Sequence, residues 1–334
     1  MSEQLPEADI KSRRRSRAIL GIVVSGALLA FVSTQLNIDE ALSRIRSARL
    51  DWLLAAFGGS CLLLVTRALR FFILTERASA GAVLSVVALQ NFLNRVTPFR
   101  LGELSLPYYL QRVAGESAVR TLVSLLLVRL LELWLVIAMA AIALYLVLDS
   151  APEHGAITLV IFVVVLTIVL ASFGHLMVVG AQVVSGVADW FKLDKRPAVG
   201  QLMKRLEDAI NNRARLTSRQ RLGLLFASLA VVLANQFTFD CILRALHYEL
   251  SFLQIIIGVS ATQIIGVLPL PTVGSMGSHE AGWTAGFVLA GVSTEVAVMT
   301  GIVSQFTSLF FNALLAIPAY LHLNRRNAVA HPKD

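Results

Sequence analysis

Two ionisable residues stand inside a long apolar run, where their charge has to be compensated. Arg129 and Glu132 are three residues apart within residues 119–148, so they share one face of a helix. An ionisable side chain at membrane depth costs about 3 kcal/mol or more unless it is paired or hydrated. Two interpretations stay open: a structural ion pair that faces the interior of a helix bundle, or an arginine that binds a phosphate group while the glutamate orients it or carries a proton.

Two further glutamates follow short loops that contain proline and glycine. Residues 96–103 read VTPFRLGE and residues 270–280 read LPTVGSMGSHE, and each loop ends on a glutamate that precedes an apolar stretch. If that glutamate opens a helix, the positive end of the helix dipole favours a carboxylate or a bound anion there. Arg100 suits a phosphate because a guanidinium can bind it through two hydrogen bonds. The backbone N–H groups of residues 274–278 could form an anion-binding concavity.

These loops and the charged pair predict a substrate-binding site, and no catalytic, cofactor or metal site. The candidate substrate-binding residues are Arg100, Glu103, Arg129, Glu132, Gly274, Gly277, Ser278 and Glu280. Glu280 is also expected to stabilise the start of its helix, with Ser278 as the N-cap. His279 and Glu280 begin a zinc-binding His-Glu-x-x-His motif, but Trp283 stands at the second histidine position. The glycine-rich loop lacks the Gly-Lys-Ser/Thr ending of a P-loop.

The composition places these residues in a membrane protein. Of the 334 residues, 56% are hydrophobic and 15% are charged, whereas soluble domains carry about 25% charged residues. Cys61 and Cys241 both lie in apolar segments, so they predict neither a disulfide framework nor a cysteine metal site. The excess of eight positive charges sits at the ends of apolar runs, which is typical of membrane topology rather than of nucleic-acid binding.

Six apolar runs are long enough, or nearly so, to cross a bilayer, which takes about 20 residues per helix. They are residues 18–34, 52–74, 119–148, 156–180, 222–246 and 296–323. Two other apolar stretches, 82–110 and 251–290, are interrupted by the two loops and read as helix, loop, helix. The predicted fold is an all-α polytopic membrane protein with about six spanning helices and two opposed re-entrant helical hairpins, consistent with inverted-repeat symmetry.

The interrupted stretches are the best place for a binding site. Non-helical backbone at membrane depth needs protein or a water-filled cavity around it, and interrupted helices in two opposed halves point to the site of a transporter. The alternative is that both loops are turns outside the membrane.

Clustered lysines and arginines predict the orientation of the chain. Cations precede the first run, close the second, as Arg67 and Arg70 do, and precede the third, as Arg95 does. Cytoplasmic loops carry such an excess, so both termini are expected in the cytoplasm. The predicted organisation is a basic tail (1–17), a transmembrane domain (18–323) that includes a basic cytoplasmic loop (about 182–220), and a second tail (324–334).

Four motifs in order resemble one family. They are TRALRF at 66–71, NRVTPFRLGE at 94–103, VRLLEL at 128–133 and LPLPTVGSMGSHEA at 268–281. From about residue 18 to residue 321 the chain resembles the lysylphosphatidylglycerol synthase transmembrane region, also called the flippase-like domain family. The resemblance implies an integral protein of the cytoplasmic (inner) membrane that moves lipids or lipid-linked groups between leaflets. Two-domain members add a soluble aminoacyltransferase that makes the lipid, which this chain is expected to lack.

Two positions depart from the pattern of that family. Leu106 and Gln305 stand where relatives often carry arginine. Both differences remove cations that could meet a phosphate, so the substrate is expected to differ or to be bound by fewer charges.

The residues and the resemblance together predict a lipid translocase, not an enzyme, whose partners are membrane lipids with anionic or phosphate-bearing headgroups. Candidate cargoes are aminoacylated phosphatidylglycerol, other anionic phospholipids, polyprenyl-phosphate-linked sugars and polycyclic triterpenoid lipids. Two alternatives stay open. One is an intramembrane transferase or hydrolase with Glu103, His279 or Glu280 as acid or base; the other is a membrane anchor for a soluble lipid-modifying enzyme through residues 182–220.

Overall fold

The fold is seen in a computed structural model that describes residues 38–147, 197–214, 216–268 and 275–330, with the single helical positions 161, 164 and 167. Within these ranges every regular element is a helix. The α-helices are α1 (Ile38–Arg46), α2 (Leu50–Leu74), α3 (Ala80–Val96), α4 (Ser105–Ala114), α5 (Ala118–Val147), α6 (Pro197–Ala214), α7 (Ser218–Ala245), α8 (Phe252–Val267), α9 (Ser278–Leu289) and α10 (Thr294–Ala330). A 3₁₀ segment, Pro98–Leu104, joins α3 to α4.

Four of the helices are long and apolar enough to cross a membrane: α2, α5, α7 and α10. They coincide with four of the six predicted spans, and the all-α polytopic fold class is confirmed. The other two predicted spans, residues 18–34 and 156–180, lie outside the described residues apart from three single positions. The number of six spans therefore stays a prediction.

Helices α2 and α7 pack closely, and α2 begins where α7 ends. Arg49 N donates to Ala245 O at 2.9 Å at this junction. Further along, a Cβ on Gly59 would lie 2.6 Å from Thr238 Oγ1, so only a glycine permits the contact. Helix packing inside a bilayer depends on such small residues, because lipid tails supply no hydrophobic drive between helices.

The first interrupted stretch forms helix, 3₁₀ segment and helix, as its sequence predicts. Thr97 adopts an extended conformation and ends α3, since the residue before a proline is disfavoured in a helix. The chain then folds back on α3, and Gly102 N donates to Thr97 Oγ1 at 2.8 Å. A Cβ on Gly102 would lie 2.7 Å from Asn94 Oδ1 and even closer to the α3 backbone. The glycine therefore lets the loop lie directly against the end of α3.

The second interrupted stretch is described as α8 and α9, without the connection 269–274. The two helices touch through glycines: a Cβ on Gly258 would strike the ring of Phe287, and one on Gly286 would lie 2.5 Å from Ala261 Cβ. Their order again matches the prediction. Insertion of the two stretches into the membrane from opposite faces stays a prediction.

The predicted N-cap of the second stretch is wrong by one residue. Helix α9 begins at Ser278, and its N-cap is Gly277 with φ of +87°, a conformation that glycine adopts without strain. Ser278 instead donates its hydroxyl to Ser275 O at 3.0 Å.

Part of the predicted basic loop, residues 182–220, is an ordered helix. Ala209 and Ile210 of α6 are buried against Val123 of α5, while Lys204 and Arg205 are exposed. An apolar face that packs on a spanning helix and an opposite charged face are the pattern of a surface helix.

Gly286→Ala is expected to lower the melting temperature by forcing α8 and α9 apart. The added methyl would meet Ala261 Cβ at 2.5 Å and the Gly258 backbone at 2.9 Å, and overpacking of this kind costs about 1–3 kcal/mol. Thermal unfolding of the purified protein in detergent measures the effect. Gly58→Ala is the matched control, because nothing lies within 4 Å of that Cβ. Equal melting temperatures for the two variants would contradict the close contact.

Candidate functional site

A buried carboxylate, Glu132 of α5, collects three guanidinium groups. Its Oε2 lies 3.0 Å from Arg70 Nη1 and 3.5 Å from Arg129 Nη1, and its Oε1 lies 3.9 Å from Arg67 Nη2. The Arg70 side chain is 2% exposed and that of Glu132 is 10% exposed. Arg67 and Arg70 are three residues apart on α2 and therefore reach the same side of the helix. This cluster ties α2 to α5 through charge, beside the apolar cluster that the two helices also share.

The loop of the first interrupted stretch joins the same cluster. Arg129 Nη2 lies 3.2 Å from Glu103 Oε1, so the Arg129 guanidinium stands between two carboxylates. Glu103 has no partner at helical spacing in the sequence, and its contact comes from a different helix. The Gly102 contact that holds this loop against α3 thus also sets the position of Glu103.

A cavity of about 150 Å³ opens beside the ion cluster. It is lined by α2, α3, α5, α7, α8 and α9, so both interrupted stretches and three long apolar helices contribute. Its charged lining residues are Arg67, Arg95, Arg129 and Glu132, and its amide residues are Asn91, Asn94, Asn235 and Gln263. Among the described lining residues, three guanidinium groups face one carboxylate, which favours an anionic ligand.

Amide side chains orient the cations of the cavity. Arg67 Nη1 donates to Asn91 Oδ1 at 3.2 Å, and Arg95 Nη1 donates to Gln305 Oε1 at 3.0 Å. Two other amide atoms of the lining, Asn94 Oδ1 and Gln263 Nε2, are buried and have no hydrogen-bond partner within the described ranges. A buried polar atom without a partner is costly. A ligand that both accepts and donates hydrogen bonds would satisfy them.

The start of α9 contributes one wall. Ser275, Ser278 and His279 line the cavity, and a His279 ring nitrogen lies 3.2 Å from Ser304 Oγ. The imidazole stacks on Trp283, with ring centres 5.6 Å apart. This packing gives His279 a fixed orientation at the cavity.

Glu280 is buried beside this wall but is not a lining residue. Its Oε2 accepts a hydrogen bond from the N–H of the N-cap residue Gly277 at 2.6 Å, so Glu280 stabilises the helix start as predicted, although through Gly277. The side chain is 1% exposed. Its described role is therefore in the helix start.

The structure places the other predicted residues as follows. Arg129, Glu132 and Ser278 line the cavity, and Glu103 contacts Arg129. Gly277 is the N-cap of α9 and is not a lining residue. Gly274 and the side chain of Arg100 lie outside the described residues.

Sequence reasoning missed the arginines of α2 and α3. The positions of these arginines at the ends of apolar runs indicate topology alone, yet Arg70 is buried and Arg67 and Arg95 line the cavity. A signal was available, since Arg67 and Arg70 share a helix face inside the motif TRALRF. Their partner, Glu132, is 62 residues from Arg70 in the chain and could not be found by local spacing.

Glu132→Gln is expected to destabilise the protein strongly, because it leaves Arg70 buried without a countercharge. Removal of one partner of a buried ion pair costs about 3–5 kcal/mol. The control is Glu76→Gln, which breaks a 2.7 Å pair with Arg120 whose side chains are 52% and 31% exposed and which is expected to cost less than about 1 kcal/mol. Thermal unfolding compares the two. Similar decreases in melting temperature for the two variants would show that the Glu132 cluster is not a buried charge network.

A comparison with models of protein families agrees with the resemblance of the four motifs. A comparison with curated proteins gives no match. The family model described as "Lysylphosphatidylglycerol synthase TM region" matches residues 18–316, a range that contains every described helix from α1 to α9 and most of α10. The predicted family is confirmed, and the chain belongs to the family of the lysylphosphatidylglycerol synthase transmembrane region.

Proposed function

We propose that this membrane protein moves a lipid with an anionic or phosphate-bearing headgroup from one leaflet of the bilayer to the other. The observation that carries the proposal is a polar cavity, rich in guanidinium groups, enclosed by apolar helices long enough to span a membrane. Ionisable groups at such a depth are costly and mark pathways for polar substrates. The family supports a phospholipid, since it is named after a synthase of lysylphosphatidylglycerol.

The size of the cavity fits a headgroup and not a whole lipid. Its volume is about 150 Å³, whereas pockets that enclose a drug-sized molecule measure about 300–1,000 Å³. The acyl chains would then stay in the surrounding bilayer while the headgroup passes through the protein. A protein that binds only the headgroup needs no enclosed apolar chamber for the acyl chains.

Arg67, Arg95 and Arg129 are the proposed headgroup ligands. Guanidinium groups bind phosphate oxygens through paired hydrogen bonds. Glu132 and Glu103 hold Arg129 at 3.5 and 3.2 Å, so its charge is partly compensated when no headgroup is bound. A headgroup phosphate would compete with these carboxylates, which keeps binding reversible.

Arg95→Gln and Arg129→Gln are expected to reduce lipid translocation at least about tenfold, because each removes a charge-assisted hydrogen bond that contributes about 1.5–3 kcal/mol. The assay uses the purified protein in liposomes with acyl-labelled fluorescent phosphatidylglycerol and a membrane-impermeant quencher. Arg112→Gln is the matched control, since Arg112 is exposed on α4 and contacts Tyr108. This variant is expected to translocate like the wild type.

The same liposomes distinguish translocation of the lipid from covalent modification of the lipid. Mass spectrometry of the recovered lipid is expected to show an unchanged molecule. A covalently altered lipid would support the intramembrane transferase or hydrolase instead. Translocation equal to that of empty liposomes for phosphatidylglycerol, phosphatidylethanolamine and a polyprenyl phosphate, or equal loss in Arg112→Gln, would contradict the proposed function.

We also propose that the protein resides in the cytoplasmic membrane with both termini in the cytoplasm. The support is the clustering of lysine and arginine at one set of helix ends. A C-terminal fusion to green fluorescent protein is expected to fluoresce, while a fusion to alkaline phosphatase, which is active only outside the cytoplasm, is expected to stay inactive. The opposite pair of results would place the C-terminus outside the cytoplasm and contradict the proposed topology.

A further inference from the structure

A second, much smaller cavity lies behind the arginines of the main site. Its volume is about 10 Å³, and it is bounded by α2, α3 and α5. Its polar lining residues are Arg67, Arg70, Gln90, Asn91 and Arg129, and the rest of the lining is apolar. Arg70 and Gln90 are each 2% exposed, and Val87 and Val128 are 0% and 1% exposed. The space is therefore about the size that one water molecule or one small ion requires, and Arg67, Asn91 and Arg129 line both this cavity and the main one.

The polar side chains around this cavity present unpaired donors. Arg67 Nε, Arg70 Nε, Arg129 Nε and Gln90 Nε2 are all buried, and none has a hydrogen-bond partner in the part of the chain that the structure describes. Each of these groups is an N–H donor. Four unsatisfied donors around one small space are a costly arrangement unless an acceptor occupies it.

A water molecule suits this space poorly. A buried water molecule makes two to four hydrogen bonds and accepts at most about two of them, so it would leave about half of the four unpaired donors without an acceptor. A monatomic anion accepts several hydrogen bonds and donates none. The four unpaired donors therefore match an anion better than a water molecule.

The charges of the surrounding groups also favour an anion. Within the described residues, three guanidinium groups line the cavity, and the carboxylates that contact them are Glu132 and Glu103. One positive charge is left over in a region of low dielectric constant, where an uncompensated charge is strongly unfavourable. A single bound anion would neutralise it.

We propose that the cavity between Arg67, Arg70, Gln90 and Arg129 binds one monatomic anion, which under cellular conditions is chloride. The anion stabilises the packing of α2, α3 and α5, which all contribute to its lining. The site shares Arg67 and Arg129 with the proposed lipid site, but binding of the anion does not depend on the proposed translocation.

The test measures thermal unfolding of the full-length protein in detergent while sodium chloride replaces sodium gluconate at constant ionic strength. The melting temperature is expected to rise by roughly 2–4 °C and to saturate, as it does for a ligand that binds only the folded state. Bromide is expected to replace chloride, because it is also monatomic. Radioactive chloride retained by the protein is expected to reach one equivalent per chain.

Two substitutions at one position give opposite expected results. Gln90→Leu removes a neutral donor and is expected to weaken chloride binding about tenfold, the effect of one hydrogen bond of about 1.4 kcal/mol. Gln90→Glu places a carboxylate among the guanidinium groups and is expected to abolish the chloride response while stability in gluconate is kept or raised. Gln111→Leu, on the exposed side of α4, is the matched control and is expected to keep the wild-type response.

The outcomes separate the alternatives. Identical unfolding curves in chloride and gluconate would overturn the proposal, and so would a full chloride response in Gln90→Glu. If Gln90→Leu does not fold, the radioactive chloride retained by the wild type is the test. One equivalent per chain supports the site, and no retained chloride overturns the proposal. If the wild-type protein does not translocate lipid but its melting temperature still responds to chloride, the proposed lipid function is contradicted and the anion site is not.

Discussion

The compensation of charge inside an apolar helix bundle is the constraint on which this structure depends. Glu132 is the group that meets it, because its two carboxylate oxygens lie within 4 Å of the guanidinium groups of Arg67, Arg70 and Arg129. Without this acceptor, α2 would carry two cations into a region where each costs about 3 kcal/mol or more. The ion cluster therefore decides how α2 faces α5, and with it where the main cavity can form.

Close backbone contacts transmit this arrangement to the two interrupted stretches. Gly102 allows the 3₁₀ segment to lie on the end of α3, and the next residue, Glu103, reaches Arg129. In the second stretch, Gly258 and Gly286 bring α8 and α9 together. Because lipid supplies no hydrophobic drive for helix association, small residues and buried polar contacts have to provide both the proximity and the energy. Glycine contacts and ion pairs, contributed by different helices, thus position the residues of the same site.

Local pattern was sufficient for some of this architecture and insufficient for the rest. Four spans and the helix, loop, helix order followed from apolar runs and from Pro98 and Gly102, and the shared face of Arg129 and Glu132 followed from helical spacing. The role of Arg95 did not follow, because a cation near the end of an apolar run satisfies the positive-inside rule whether it faces solvent or a cavity. The N-cap of α9 also escaped prediction, since serine and glycine both suit that position and only the φ of +87° at Gly277 decides between them.

The two departures from the family pattern take on a different meaning once their neighbours are known. Leu106 is fully buried in an apolar cluster of α2, α3, α4 and α5, so an arginine there would need a partner of its own. Gln305 accepts a hydrogen bond from Arg95, whereas an arginine at 305 would repel it. A neutral acceptor therefore lets Arg95 be held at the cavity with its charge intact. Under the proposed function, this chain would bind a headgroup with cations from α2, α3 and α5 and would need none from positions 106 and 305.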